Sequence, residues 1–149
     1  MNISQAIGVF DSGYGGLTVA RELAQALPGE NIIYFGDSAR CPYGPRTSKQ
    51  VQEFSAEISS FLIEKGCKLI VIACNTATAA SLDFLQDTLD VPVLGVIHAG
   101  AQLAVEQTQA ACVGVIATTG TIQSASDETE IHKINPNIRV ISQATPQFV

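Results

Sequence analysis

The stretch that decides the fold is LIVIACNTATAAS, residues 69–81. Its first part is an apolar run with the length and composition typical of a buried strand. The run ends at Cys74, and the alanine-rich segment after it predicts the start of a helix. Cys74 therefore lies at a strand-to-helix junction. Two interpretations are open for it there, a cysteine used for packing or a reactive thiol.

Apolar runs alternate with longer amphipathic segments on both sides of this stretch. Strands are predicted at 7–10, 31–35, 68–73, 93–97, 113–117 and 138–142, and helices at 17–27, 48–65, 77–89, 99–109 and 123–134. The alternation predicts an α/β fold, a parallel sheet flanked by helices. Ligands bind beyond the carboxyl ends of such strands, so the loops after the strands are the candidate sites.

Composition excludes several classes of function. Acidic residues outnumber basic ones by 14 to 8, a formal net charge of -6, and the scattered bases argue against nucleic acid. The sequence shows neither a bilayer-spanning apolar run nor a signal peptide, so we expect no membrane partner and a cytoplasmic location. The cysteines and histidines lack metal-site spacing. Cys67 and Cys112, each beside a predicted strand, are expected to be small buried hydrophobic residues.

The loop after the first predicted strand is FDSGYGG, residues 10–16. A glycine-rich turn that leads into a helix favours an anion. Nucleotide binding is a weak alternative, because Thr18 stands where a dinucleotide motif has its third glycine. Asp11 is placed to take or hold the proton of the Cys74 thiol across the same sheet edge. Capping of the helix by Asp11 or Ser12 is the alternative interpretation.

Polar groups also follow Cys74 directly. Asn75 and Thr76 supply an amide, a hydroxyl and backbone N–H groups that can hold a carboxylate near the sulfur. The helix N-terminus is expected to lower the pKa of the thiol. We therefore expect Cys74 to react with thiol reagents faster than Cys67 or Cys112, and Asp11→Asn to slow it.

Two further loops complete the candidate site. The long loop at residues 36–48 contains Tyr43 and Gly44, which can offer a phenol and an unhindered N–H to a ligand. The loop after the fifth predicted strand supplies the hydroxyls of Thr118 and Thr121. Ordinary helix capping is the alternative for these two threonines.

The sequence also contains an internal echo. AIGVFDSGYGG resembles CVGVIATTGTI, with Gly8 aligned to Gly114, an offset of 114 − 8 = 106 residues. The echo predicts a first α/β domain at residues 1–97 and the start of a second, incomplete one at 98–149. Adding the offset to Cys74 puts its mirror position at 74 + 106 = 180, beyond Val149.

Four motifs together resemble the glutamate racemases, bacterial enzymes of cell-wall synthesis: GVFDSGYGGLTV, GDSARCPYG, ACNTATA and GVIATTGTIQS. The resemblance implies interconversion of L- and D-glutamate without a cofactor or a metal, by two cysteines on opposite faces of Cα. It also implies two pseudo-symmetric α/β domains with the site between them.

The resemblance assigns roles to particular residues. Cys74 matches one catalytic cysteine and Asp11 the acid that assists it. The positions that match substrate contacts are Asp11, Ser12, Tyr43, Gly44, Asn75, Thr76, Thr118 and Thr121. The second catalytic cysteine has no counterpart here, so we expect the isolated chain not to racemise glutamate. An aspartate racemase, a non-catalytic fragment that binds carboxylates or a partner, and a homodimer are left open.

Overall fold

The computed structural model describes residues 5–146. The strands are β1 (Ala6–Asp11), β2 (Ile32–Gly36), β3 (Cys67–Ile72), β4 (Val93–Gly95), β5 (Cys112–Ala117) and β6 (Arg139–Ala144). The helices are α1 (Leu17–Ala26), α2 (Ser48–Glu64), α3 (Asn75–Thr88), α4 (Val96–Gln107), α5 (Thr119–Ser124) and α6 (Ser126–Ile134).

The first sheet is parallel, with strand order β2-β1-β3-β4. Because β1 is central, all of its residues are buried, and alternate side chains face opposite helical layers. Phe10 and Ile72 pack in one core beneath α2 and α3, whereas Val9 and Val71 pack in a second core beneath α1. The predicted parallel sheet with helices on both faces is confirmed.

A second parallel sheet is formed by β5 and β6, with Val113 opposite Val140. One face is covered by α4 and α6, where Ala101 and Ile131 form a small separate core. β5 of this sheet lies in the second segment of the sequence echo, residues 112–122. The domain boundary predicted between residues 97 and 98 falls within α4 and stays a prediction.

Two sequence predictions of secondary structure are wrong. The strand predicted at 93–97 ends at Gly95, because Val96 already begins α4 and donates its N–H to Thr78 Oγ1 at 3.4 Å. The helix predicted at 123–134 is two helices, α5 and α6, separated at Ala125 with φ 51°. Ser124 Oγ bonds the Thr121 carbonyl at 2.7 Å and also accepts from the N–H of Ser126, so these local hydroxyl bonds compete with a continuous helix.

The two sheets are joined by helix packing that positions the site. α3 contacts α4 and α5, and α4 contacts α6. The start of α3, at the carboxyl end of β3, therefore lies beside the start of α5, at the carboxyl end of β5. Within residues 5–146, no helix combines the length and the apolar character needed to cross a membrane.

Candidate active site

Cys74 is the N-cap residue of α3 and follows β3 by one residue. Its Sγ accepts a hydrogen bond from the N–H of Ala77 at 3.4 Å and lies 3.4 Å from Ser12 Oγ. The side chain is largely enclosed, with 8% of the residue exposed. Capping and a contact with the neighbouring loop thus occur together, so the packing and chemical interpretations of Cys74 do not exclude each other.

Asp11 ends β1, next to β3 in the sheet. Its carboxylate is buried and accepts two backbone N–H bonds, from Ser12 and from Gly16, both at 2.8 Å. Gly16 is the N-cap residue of α1, and a Cβ there would lie 2.6 Å from Asp11 Cβ. Only glycine allows this close approach. Asp11 therefore holds the N-cap residue of α1 in place, while its charge acts on the Cys74 thiol.

The pKa of the Cys74 thiol is raised, which contradicts the sequence expectation. Burial is the largest cause, and the charge of Asp11 raises the pKa further. The Ser12 hydroxyl and the Ala77 N–H lower it without reversing the balance. The expectation of a lowered pKa is wrong because it counted the helix N-terminus and omitted desolvation.

Tyr34 is part of this site, although no motif in the sequence marks it. Tyr34 lies on β2 opposite Val9 of β1, and its hydroxyl donates to the Gly13 carbonyl at 3.0 Å. Burial, helped by the charge of Asp11, raises the pKa of Tyr34 to about 12. The phenol is thus a neutral donor that fixes the turn after Asp11. Only the pairing of β1 with β2 reveals this position.

Three threonine hydroxyls meet where α3 faces α5. Thr76 Oγ1 lies 3.0 Å from Thr118 Oγ1 and 3.2 Å from Thr121 Oγ1, and these last two are 3.0 Å apart. Thr118 is also the N-cap residue of α5, since its side chain accepts from the N–H of Thr121. The structure therefore brings these three predicted residues together, and the capping alternative also holds for Thr118.

Tyr43 is placed differently from the sequence expectation. Its phenol is 1% exposed and donates to Asp37 Oδ2 at 2.5 Å, and burial raises the pKa of Tyr43 well above its usual range. The interpretation of a phenol offered to a ligand is therefore wrong. Gly44 faces the site, because a Cβ built on it would lie 3.0 Å from Thr118 Cβ. A substrate contact by Tyr43 stays a prediction, now limited to its backbone groups.

A charge network, with Asp37 buried and Glu57 exposed, anchors the loop that carries Gly44. Arg40 pairs with Asp37 and with Glu57 of α2, each at 2.6 Å, and its guanidinium lies 4.4 Å from the centre of the Phe54 ring. Asp37 also accepts from Tyr43, so both of its partners lie in the loop. These contacts hold the long loop against α2.

The remaining cysteines lie in three different environments. Cys67 is buried at the first residue of β3, whereas Cys112 is half-buried at the first residue of β5. The expectation of a buried residue is thus right for Cys67 and wrong for Cys112. Cys41 is exposed, with its Sγ 3.6 Å from a Cβ built on Gly13. Across the described part of the chain, no group of three or more histidine, cysteine or acidic residues could hold a metal ion.

A cavity of about 540 Å³ opens beside the contact between Gly44 and Thr118. Arg46, Thr119 and Gln123 are among its lining residues. Its volume is in the range of small-molecule sites. Cys74 and Asp11 do not line it, so this cavity does not enclose the thiol.

Asp11→Asn is expected to make Cys74 react faster with iodoacetamide near neutral pH, the reverse of the sequence expectation. Removing a negative charge lowers the raised thiol pKa, so more thiolate is present at a given pH. The pH profile of Cys74 alkylation, followed by mass spectrometry, should shift to lower pH. Exposed Cys41 serves as the internal control and should not shift. A profile displaced to higher pH would contradict the assignment.

Comparison with known proteins identifies the family. The family model for Asp/Glu/Hydantoin racemases matches residues 7–144. The chain belongs to this racemase family. The glutamate racemase of Geobacter metallireducens is 52% identical over 145 residues, which is 97% of this chain and 54% of that protein. The chain spans about half the length of the curated relatives it matches.

Solved structures of the family have the same fold. The crystal structure of a glutamate racemase from Bacillus anthracis matches with a TM-score of 0.94 and 48% identity, over 99% of this chain and 55% of that one. A glutamate racemase from Francisella tularensis, solved in complex with D-glutamate, matches with a TM-score of 0.86 and 46% identity. The match covers 96% of this chain and 53% of that one.

Proposed function

We propose that this chain carries one half of a cofactor-independent glutamate racemase, in which Cys74 exchanges the proton on one face of Cα. The observation that carries the proposal is the position of the Cys74 thiol, held at the start of α3 between Ser12 Oγ and the Ala77 N–H. Asp11 is proposed to assist it. The product, D-glutamate, would serve peptidoglycan synthesis.

The raised thiol pKa suits a base that must act on a carbon acid. A thiolate derived from a weaker acid is a stronger base, and the enclosed position strengthens the electrostatic interactions it makes. The thiolate takes the Cα proton, the electron pair of the C–H bond stays on Cα, and the thiol later returns a proton. The transient negative charge needs donors that are already in place.

The substrate carboxylate is proposed to bind where α3 and α5 begin. The hydroxyls of Thr76, Thr118 and Thr121 converge there, and the first N–H groups of α3 lie beside the sulfur. Ser12, Asn75 and the backbone of Tyr43 and Gly44 are proposed to contact other parts of the substrate. These groups recognise an acidic amino acid, and aspartate remains the alternative substrate.

Racemisation requires a second base on the opposite face of Cα. Cys67 and Cys112 are the first residues of β3 and β5, so each lies at the amino end of its strand, whereas Cys74 follows the carboxyl end of β3. The offset of the sequence echo predicts the second base near position 180. That position lies within the length of the relatives but outside these 149 residues. We therefore propose that residues 1–97 and 98–149 are a first domain and part of a second, and that the 149 residues alone do not racemise glutamate. A homodimer stays a prediction.

Binding without turnover is the second candidate function. Cys67 and Cys112 lie at the amino ends of their strands, away from Cys74, and this favours binding without turnover for the isolated chain. In that case the threonine cluster would still bind a carboxylate. Proton exchange at Cα distinguishes the two candidates.

The purified 149-residue chain, incubated with each glutamate enantiomer in D₂O, is expected to exchange the Cα proton of one enantiomer with retention of configuration. A single base returns deuterium to the face from which it took the proton. Proton NMR measures the exchange and chiral chromatography the configuration. A D-glutamate auxotroph that expresses this chain should fail to grow without added D-glutamate. Racemisation of both enantiomers would refute the half-site proposal, and binding without exchange would support the second candidate.

A further inference from the structure

One hydrogen bond connects the second α/β unit to the residue beside the candidate base. Asp127, in the first turn of α6, accepts at its Oδ1 from Asn75 Nδ2 at 3.0 Å. Asn75 is the first residue of α3 and follows Cys74 directly. It is exposed, so its amide is accessible to a ligand. No motif in the sequence marks Asp127.

The second carboxylate oxygen of Asp127 is in an unusual position. Oδ2 is shielded from solvent and has no hydrogen-bond partner among residues 5–146. A buried acceptor without a partner carries a desolvation penalty, and the N-terminal turn of α6 offsets it only in part. A carboxylate with one oxygen bonded to Asn75 and the other buried without a partner points to a role at the site.

The chemistry of the two groups fixes how the amide is turned. A carboxylate can only accept hydrogen bonds, so it holds the NH₂ group of Asn75 toward α6. The carbonyl oxygen of the same amide is then left as an acceptor for another group. An α-ammonium offers only donors and therefore needs such an acceptor, whereas an α-hydroxyl can pair with either end of the amide.

We propose that Asp127 is a positioning residue that orients the Asn75 amide, so that its carbonyl oxygen accepts from the α-ammonium of the substrate. The inference rests on the proposed function and deepens it. It makes Asp127 a determinant of selectivity for amino acids over the matching hydroxy acids. A contact that merely holds α6 against α3 would not distinguish these two ligands.

The test compares glutamate with 2-hydroxyglutarate, which has the same skeleton with a hydroxyl in place of the ammonium. Dissociation constants for the 149-residue chain come from calorimetric titration. Asp127→Ala is expected to weaken glutamate binding about tenfold, the loss of one charge-assisted bond, and 2-hydroxyglutarate binding less than about twofold. Asp127→Asn should retain most of the selectivity, because its amide oxygen can still accept from Asn75.

A second measurement needs no ligand. Solvent exchange of the Asn75 side-chain NH₂ protons, followed by NMR, is expected to be slow in the wild-type chain and in Asp127→Asn, and several-fold faster in Asp127→Ala. Glu128→Ala is the matched control, since it removes a neighbouring charge from the same turn and should alter neither measurement. Thermal unfolding of each variant shows that the fold is retained.

The outcomes separate the two proposals. Glutamate binding with unchanged selectivity in Asp127→Ala, or equal NH₂ exchange in the wild type and that variant, overturns the inference alone. A wild-type chain that binds no glutamate overturns the proposed function, and with it the role assigned to Asp127. Loss of glutamate selectivity together with faster NH₂ exchange supports the inference.

Discussion

Exchange of the glutamate Cα proton is expected to fall by at least about a hundredfold when Cys74 is replaced by serine, the scale of a lost general base. The physical reason is acidity, since a serine hydroxyl supplies far less anion than a thiol near neutral pH. Serine is a favoured N-cap residue, so it can still accept the Ala77 N–H that Cys74 now accepts. The change therefore removes the base and keeps the helix start. Deuterium incorporation measured by proton NMR checks this.

Cys112→Ser is the matched control for this experiment. Cys112 is also a free cysteine, but it is half-buried at the start of β5. Its replacement should leave the exchange rate within about twofold, because Cys112 lies at the amino end of β5, away from the start of α3 that carries Cys74. Exchange that survives in Cys74→Ser at the wild-type rate would show that another group is the base. Glutamate binding, measured in parallel, shows whether the serine variant still holds the ligand.

Gly16→Ala is expected to produce the largest loss of stability, about 3 kcal/mol of unfolding free energy. A Cβ at this position would lie 2.6 Å from Asp11 Cβ and 2.9 Å from Ala73 Cβ, so backbone must move. That movement separates the Gly16 N–H from Asp11 Oδ2, a 2.8 Å bond to a buried carboxylate. For a chain of this size the melting temperature should drop by about 10 °C. Calorimetry or circular dichroism measures the shift.

Gly29→Ala tests whether the effect at Gly16 is steric. Nothing lies within 4 Å of a Cβ built on Gly29, and this residue is exposed. Its replacement should change the unfolding free energy by less than about 0.5 kcal/mol. Equal destabilisation by both substitutions would contradict a role for close packing at Asp11, because only Gly16 is enclosed.

Much of the fold follows from periodicity along the chain. Apolar runs predicted β1 and β3, and their parallel pairing means that Asp11 and Cys74 follow strands that end at one sheet edge. The glycine-rich turn after Asp11 likewise predicted a helix start. The break at Ala125 was not predictable in this way, because it depends on the Ser124 hydroxyl, which donates to the Thr121 carbonyl and accepts from the Ser126 N–H.

The candidate site was predictable only in part. Cys74, Asp11 and the threonines come from motifs that adjoin strand ends, which is a local signal. Tyr34 and Asp127 carry no such signal, since one acts through strand pairing and the other through packing of α6 near α3. The Tyr43 phenol was misplaced for the same reason, because its burial depends on Asp37 and α2.

By itself, the sequence determined the order of strands and helices and the sheet edge at which Cys74 and Asp11 lie. These properties depend on side-chain periodicity and on chain direction, which are local. Only the tertiary structure decided the direction of the Cys74 pKa shift, the meeting of Thr76 with Thr118 and Thr121, and the bond from Asn75 to Asp127. Desolvation and contact depend on every element packed around a group, so residues distant in the chain set them.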